Sequence, residues 1–281
     1  MKANDKFKWV SLGLLTTWLV LFVLFPNLMV LVASFLTHDL KELVRPEFSL
    51  DSYAKLIDPL YAKVLGHSIY LAGITTLLCL LVGYPAAWLI NTCSKQVQGL
   101  LLFLIVVPFW TNSLIRTYAM KVILGNRGII NKALMELGII DSPIRMMYTE
   151  TAVIIALVYI LLPFMILPLF SAIEKLPTSY LEAARDLGSS KVNTFRTVVW
   201  PLTLPGVISG CLLVFLPALG MFYIADLLGG AGNLLIGNVI RDQILVARNW
   251  PFGAALSVSL IAIMAVLLWA YYRAVRGVKE A

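Results

Sequence analysis

The chain has 281 residues, of which 60% are hydrophobic and 13% charged, and 22 Lys and Arg against 15 Asp and Glu leave a net charge of +7. Soluble domains carry about 25% charged residues, and a soluble sphere of this composition would expose a large apolar patch. A water-soluble globule is therefore excluded, together with the disordered, collagen-like and disulfide-rich classes. With a mean hydropathy of +0.89, the remaining class is an all-α polytopic membrane protein.

A bilayer core about 30 Å thick takes roughly 20 apolar residues as helix. Runs free of Asp, Glu, Lys and Arg cover 9–38, 64–94, 96–115, 151–173, 197–225 and 249–272. They predict six transmembrane helices, at 10–37, 65–93, 98–123, 151–174, 202–227 and 252–273, in a single domain 1–281. The first run follows Lys2, Lys6 and Lys8, yet it is far longer than the core of a cleaved signal peptide, about 7–15 residues, so it reads as an uncleaved span. A shorter run, 227–240, holds Gly229, Gly230, Gly232 and Gly237 and predicts a loop, or a re-entrant or interfacial segment. Six spans put both termini on one side. Lys2, Lys6 and Lys8 at the start, with Arg273, Arg276 and Lys279 at the end, favour the cytoplasm for both. Outer loops then fall at 38–63, 116–150 and 226–248, and the long inner loop at 174–196. Ten of the 15 acids lie in the outer loops. The basic residues are spread over loops on both faces, which argues against a nucleic-acid partner. Cys79, Cys93 and Cys211 lie in apolar stretches without CxxC spacing, and His38 and His67 are isolated, so no metal site is expected.

Pro26, Pro85, Pro108, Pro163, Pro168 and Pro217 fall within the spans. Each removes a helical hydrogen bond, and the freed carbonyl must be met by neighbouring helices, side chains or cavity water. They are either ordinary membrane-helix prolines or kinks lining a pathway. The second reading is strongest at 107–112, where Trp110, Thr111 and Asn112 follow Pro108. Gly206 and Gly210 have the spacing of close helix packing.

The inner loop carries the most information. Ser179 and Glu182 have capping-box spacing, Pro177 blocks helix from upstream, and Gly188 fits the left-handed position that ends a helix. A short helix from Tyr180 to Leu187 is expected, with Leu181, Ala184 and Leu187 able to share a side. A second short helix over 191–199 is expected to stop near Pro201. Such an elbow is either a docking piece or a connector on the membrane surface.

Glu182-Ala183-Ala184, with Gly188 and Pro201 at the expected distances, resembles the EAA motif of ABC-importer permease subunits; Val198 and Trp200 replace the usual isoleucine and leucine. Segments 25–29, 107–116, 234–240 and 250–255 are similar to the spermidine/putrescine importers, and the match is to the first of their two permease subunits. The resemblance implies the type I ABC-importer permease fold in a bacterial inner membrane. It implies a cytoplasmic coupling loop at 174–201 in which Glu182, Ala183, Ala184, Asp186, Leu187 and Gly188 meet the ATPase. It also implies as partners a second related permease, two copies of an ATP-binding subunit and an external polyamine-binding protein, with membrane lipid around the spans.

A polyamine needs carboxylates for its ammonium groups and aromatic faces for cation–π contact. Asp226, ending the fifth charge-free run, is either a cation contact or a solvated helix-end carboxylate. Tyr223, Trp110, Asn112 and Tyr159 can supply aromatic and hydrogen-bonding groups, or serve as interfacial and packed residues. Arg116 would repel a polycation and is read as paired or snorkelling. The chain has no GxxxxGK[ST] phosphate loop, so the energy is expected from a partner, and neither catalytic residues nor a cofactor is expected. An ion-coupled carrier would show inverted repeats, and an intramembrane hydrolase would show GxSxG or HExxH; neither pattern occurs.

Overall fold

The computed structural model describes residues 2–39, 43–230 and 232–280, and side chains outside 2–7, 271 and 274–280. The side chains of Lys2, Lys6, Arg276 and Lys279 in the terminal flanks, and residues 40–42 and 231 of two loops expected on the outer side, thus lie outside what is described. Helix α1 (Lys2–Leu19) continues through a π turn, Val20–Leu24, into α2 (Phe25–Ala33). The antiparallel pair β1 (Leu36–Asp39) and β2 (Leu43–Phe48) follows, then α3 (Asp51–Lys55) and the long α4 (Pro59–Thr92). Next come α5 (Lys95–Val106), a 3₁₀ turn at Val107–Trp110, α6 (Ser113–Leu124), α7 (Ile129–Glu136) and α8 (Glu150–Glu174). The last part holds α9 (Thr178–Asp186), α10 (Lys191–Thr194), α11 (Trp200–Gly220), α12 (Phe222–Ile224), α13 (Ile236–Leu245) and α14 (Trp250–Glu280).

Among the described residues, five stretches are long and apolar enough to cross a membrane: Lys8–Ala33, Pro59–Thr92, Glu150–Glu174, Lys191–Gly220 and Trp250–Ala270. The pair Lys95–Trp110 and Ser113–Glu136, bent by 95°, makes a sixth if counted as one broken span. The break has a local cause. After the 3₁₀ turn, Thr111 is extended and Asn112 caps α6, accepting the Leu114 amide at 2.8 Å. The Asn112 side chain therefore restarts the helix in a new direction.

Two prolines are accommodated in the same way. Pro26 and Pro201 each stand two residues after the end of a π turn, Val20–Leu24 and Phe195–Val199 respectively. A π turn widens the helix where the proline ring would press on the carbonyl four residues back. The helix expected to stop near Pro201 instead runs on without a break as Lys191–Gly220. The hairpin was not foreseen: Leu36 and Thr37 continue the apolar run in sequence, but the helix ends at Ala33.

The chain divides into two compact units. One comprises 1–62 and 239–266. There Phe35 stacks on Phe48 at 5.8 Å and on Tyr53 at 5.0 Å, and Tyr53 Oη lies 2.8 Å from Ser34 Oγ, which anchors the hairpin to the end of α2. The apolar window of Lys8–Ala33 buries none of its residues inside the chain, the pattern of a helix whose solvent is lipid or another subunit.

The other unit comprises 63–238 and 267–281. Its core packs α4, α8 and α11 across glycines. A Cβ on Gly206 would meet Ala172 Cβ at 2.4 Å, and one on Gly210 would meet Met165 Sδ at 2.7 Å. From the other side, a Cβ on Gly83 would meet Met165 Cγ at 2.9 Å. The fully buried Met165 side chain thus fills the notch left by two glycines. Overpacking such a contact costs about 1–3 kcal/mol. Gly206→Leu is expected to lower the unfolding midpoint of the detergent-solubilised chain. Gly73→Ala, where a Cβ meets nothing within 4 Å, should leave it unchanged or raise it slightly.

Candidate functional site

The long loop at 174–201, expected on the inner side, is built by its own backbone. Pro177 is extended and precedes α9 directly, so the helix starts at Thr178, two residues before the expected start. Ser179 then lies inside the first turn and makes no capping bond, and the Ser179–Glu182 capping box does not form. The proline sets the start instead, because its fixed φ already suits the entry to a helix, and its side chain makes no capping bond to the first turn. The far end follows the sequence closely. Gly188 has φ +75°; its N–H donates to Arg185 O at 2.8 Å, and the Ser189 N–H donates to Ala184 O at 3.0 Å. These two bonds make the Schellman ending in which glycine takes the left-handed position. Ser190 then caps α10 by accepting the Asn193 amide at 3.3 Å.

Along α9, Tyr180 and Leu187 stay exposed, the latter at 87%, while Leu181 and Ala184 are partly covered. Leu181, Ala184 and Leu187 do not bury a common face. Tyr180, Ala183, Ala184, Leu187 and Gly188 line an open groove of about 580 Å³. Glu182 and Asp186 are exposed. The apolar and small residues of the motif therefore face outward on a helix fixed at both ends. Behind it, Tyr84 Oη is 2.9 Å from Thr203 Oγ1, and Tyr84 meets Phe195 edge-on at 5.6 Å. These contacts tie the base of the elbow to α4.

The second region surrounds Asp226. Helix α11 ends at Gly220, Met221 breaks the run, and Asp226 opens the π turn Ala225–Gly229. Asn238, fully buried, organises this break. Its Nδ2 donates to Asp226 Oδ1 and, at 3.1 Å, to Phe222 O, while its Oδ1 accepts the Leu235 amide at 2.9 Å. The Ile236 amide donates to the buried Ser68 Oγ at 2.8 Å. Gly237 lets the chain fold closely over the break, since a Cβ there would meet Gly220 O at 3.1 Å. The stretch 234–240 is thus a plug that meets the polar groups exposed by the interrupted helix. Asn238 and Ser68 were missed by sequence reasoning. The available signal was the pair of asparagines, Asn233 and Asn238, in a glycine-rich apolar run.

The remaining expected pathway residues are dispersed. Tyr223 lies one helical turn before Asp226 and is half-buried. Trp110 is 75% exposed and meets Phe103 edge-on at 5.8 Å. Asn112 is engaged as the α6 cap, and Tyr159 is 44% exposed on α8. Of these residues only Tyr223, in α12, and Asp226, in the π turn that follows it, lie in adjoining elements. Arg116 is 9% exposed; its guanidinium stands 5.2 Å from the Phe109 ring centre, and its Nε has no hydrogen-bond partner. It is held by cation–π contact and, among the described residues, pairs with no carboxylate.

Comparison with known proteins agrees with this layout. The chain is 56% identical over 276 residues to the spermidine/putrescine transport system permease protein PotB of Salmonella typhimurium (strain SL1344), covering 98% of this chain and 96% of that protein. It is 58% identical over 259 residues to the protein of the same name from Escherichia coli (strain K12), covering 92% and 94%. Among solved structures, a bacterial ABC transporter involved in the import of the acidic polysaccharide alginate superposes with a TM-score of 0.79 at 15% identity, covering 98% of this chain and 96% of that one. An inward-facing MetNI methionine ABC transporter superposes with a TM-score of 0.58 at 17% identity, covering 80% and 98%. These two likenesses show the fold. The sequence pattern described as binding-protein-dependent transport system inner membrane component matches residues 74–280. The chain belongs to that family, the inner membrane components of binding-protein-dependent transport systems.

Proposed function

We propose that the chain is the first of the two permease subunits of an ABC importer for spermidine and putrescine. It would form half of the translocation pathway, beside a second related permease, with two copies of an ATP-binding subunit and an external polyamine-binding protein. Both termini would be cytoplasmic. The observation that carries the cargo is the identity of 56–58% over nearly the whole chain to permeases named for spermidine/putrescine transport. The fold alone does not choose it, because a protein of the same fold serves an acidic polysaccharide.

The two regions divide the work. The α9 lever, with Glu182, Ala183, Ala184, Asp186, Leu187 and Gly188, would sit against the ATPase. Its fixed ends support this role, because a lever transmits motion only if it does not fray. Asp226 would receive an ammonium group of the cargo, with Tyr223 one turn away for the methylene stem and Trp110, Asn112 and Tyr159 along the pathway. Asn238 orients the carboxylate through its amide.

In a strain lacking its own polyamine permease, the chain together with its partner subunits should restore uptake of radiolabelled spermidine and putrescine. Uptake of neither would defeat the cargo assignment. Asp226→Asn removes a charge-assisted contact worth about 1.5–3 kcal/mol, so polyamine uptake should fall roughly tenfold or more, with partial recovery in Asp226→Glu. Unchanged uptake kinetics would remove Asp226 from the pathway. Gly188→Val places a branched side chain at φ +75°, at a cost of about 1–2 kcal/mol. ATP hydrolysis in the assembled complex should then persist while uptake collapses, and normal uptake would refute the coupling role.

A further inference from the structure

The elbow has a second cleft, on a different flank of α9 from the groove of Ala183 and Leu187. It measures about 380 Å³ and is lined by Trp88, Leu181, Arg185, Lys191, Thr194 and Phe195, among others. At 100° per residue, Leu181 and Arg185 share one face of α9, and Glu182 and Asp186 lie on another.

Four features of this cleft converge on one chemistry. The side chains of Arg185 and Lys191 make no ion pair or hydrogen bond among the described residues. Thr194 is only 8% exposed, yet its hydroxyl has no hydrogen-bond partner. In the same helical run, Thr197 and Thr203 both return theirs to the carbonyl four residues back, at 2.7 and 2.9 Å. The cleft also lies at the N-terminus of the long helical run Lys191–Gly220. The Ser190 hydroxyl takes the Asn193 amide, the other first-turn amides, of Lys191 and Val192, have no partner within the helix, and the helix dipole favours an anion. Trp88 and Phe195 supply an apolar wall beside these donors.

We infer that this cleft binds a phosphate group, held by the Arg185 and Lys191 side chains, the Lys191 and Val192 amides and the Thr194 hydroxyl. The group is carried by a phospholipid headgroup or by a free phosphate. Lys191–Gly220 is long and apolar enough to cross a membrane, so its first turn stands where headgroup phosphates lie. An occupant would join α9 to α10 through charge-assisted bonds and stiffen the elbow. The site is independent of the cargo assignment, because it uses none of the pathway residues.

The test uses the full-length chain in an uncharged maltoside detergent. Calorimetric titrations would be made with dihexanoyl phosphatidylglycerol, dihexanoyl phosphatidylcholine and inorganic phosphate. Saturable binding of phosphatidylglycerol or inorganic phosphate at one site is expected. It should weaken about tenfold or more in the Arg185→Gln, Lys191→Gln double variant, which loses two charged donors. Competition by inorganic phosphate would identify the free anion as sufficient, and binding of phosphatidylglycerol alone would identify the headgroup. Saturation by neither overturns the proposal, as does affinity unchanged in a double variant of native helicity. If the double variant does not fold, Thr194→Val decides: it keeps the volume and both charges, a severalfold loss supports the site, and unchanged affinity overturns it.

Discussion

Inside a bilayer no water is available to a backbone amide or carbonyl, so each one that leaves a helix must find a partner within protein. That constraint is visible wherever this chain departs from regular helix. At Pro26 and Pro201 the helix widens into a π turn and continues. At Thr111 and Asn112 it stops, and the Asn112 side chain opens the next helix in another direction. At Met221 it breaks, and the buried Asn238 reaches back to Phe222 O. The three solutions differ in how much side-chain chemistry they require, and the one needing most, at Met221, lies beside the acid proposed to meet the cargo.

That coincidence has a physical basis. A carboxylate near a span is costly unless its oxygens are engaged. The segment that repairs the broken helix also supplies the amide that holds Asp226. Ser68, Gly237 and Asn238 therefore act through geometry: they fix where the carboxylate stands. A change at Asn238 disturbs both the repair and the carboxylate, whereas a change at Asp226 leaves the Asn238 bonds to Phe222 O and Leu235 in place.

The helical membrane class was legible because charges are sparse and their gaps define runs of spanning length. The end of α9 was legible because a left-handed residue after a helix is nearly always glycine, and Gly188 is one. Its start misled, because a serine and a glutamate at capping spacing followed a proline whose fixed φ sets the start of the helix without a side-chain cap. The 95° bend was half visible: Pro108 was flagged, but Asn112 was weighed as a pathway group and not as the cap it is. The β1–β2 hairpin had no signal, since its first residues extend an apolar run and strand pairing depends on a partner several residues on. The proposed pathway residues other than Tyr223 and Asp226 were chosen by type near span ends. Composition cannot tell which of several helices faces a common space.

The Gly83–Met165–Gly210 contact has a mechanical consequence. Interlocked ridges of branched side chains resist sliding, because every knob must leave its hole before the helices can shift. Here one unbranched thioether lies between two bare stretches of backbone, and a thioether changes rotamer at little cost. Sliding of α8 against its neighbours on both sides is therefore opposed less at this joint than it would be by interlocked branched side chains.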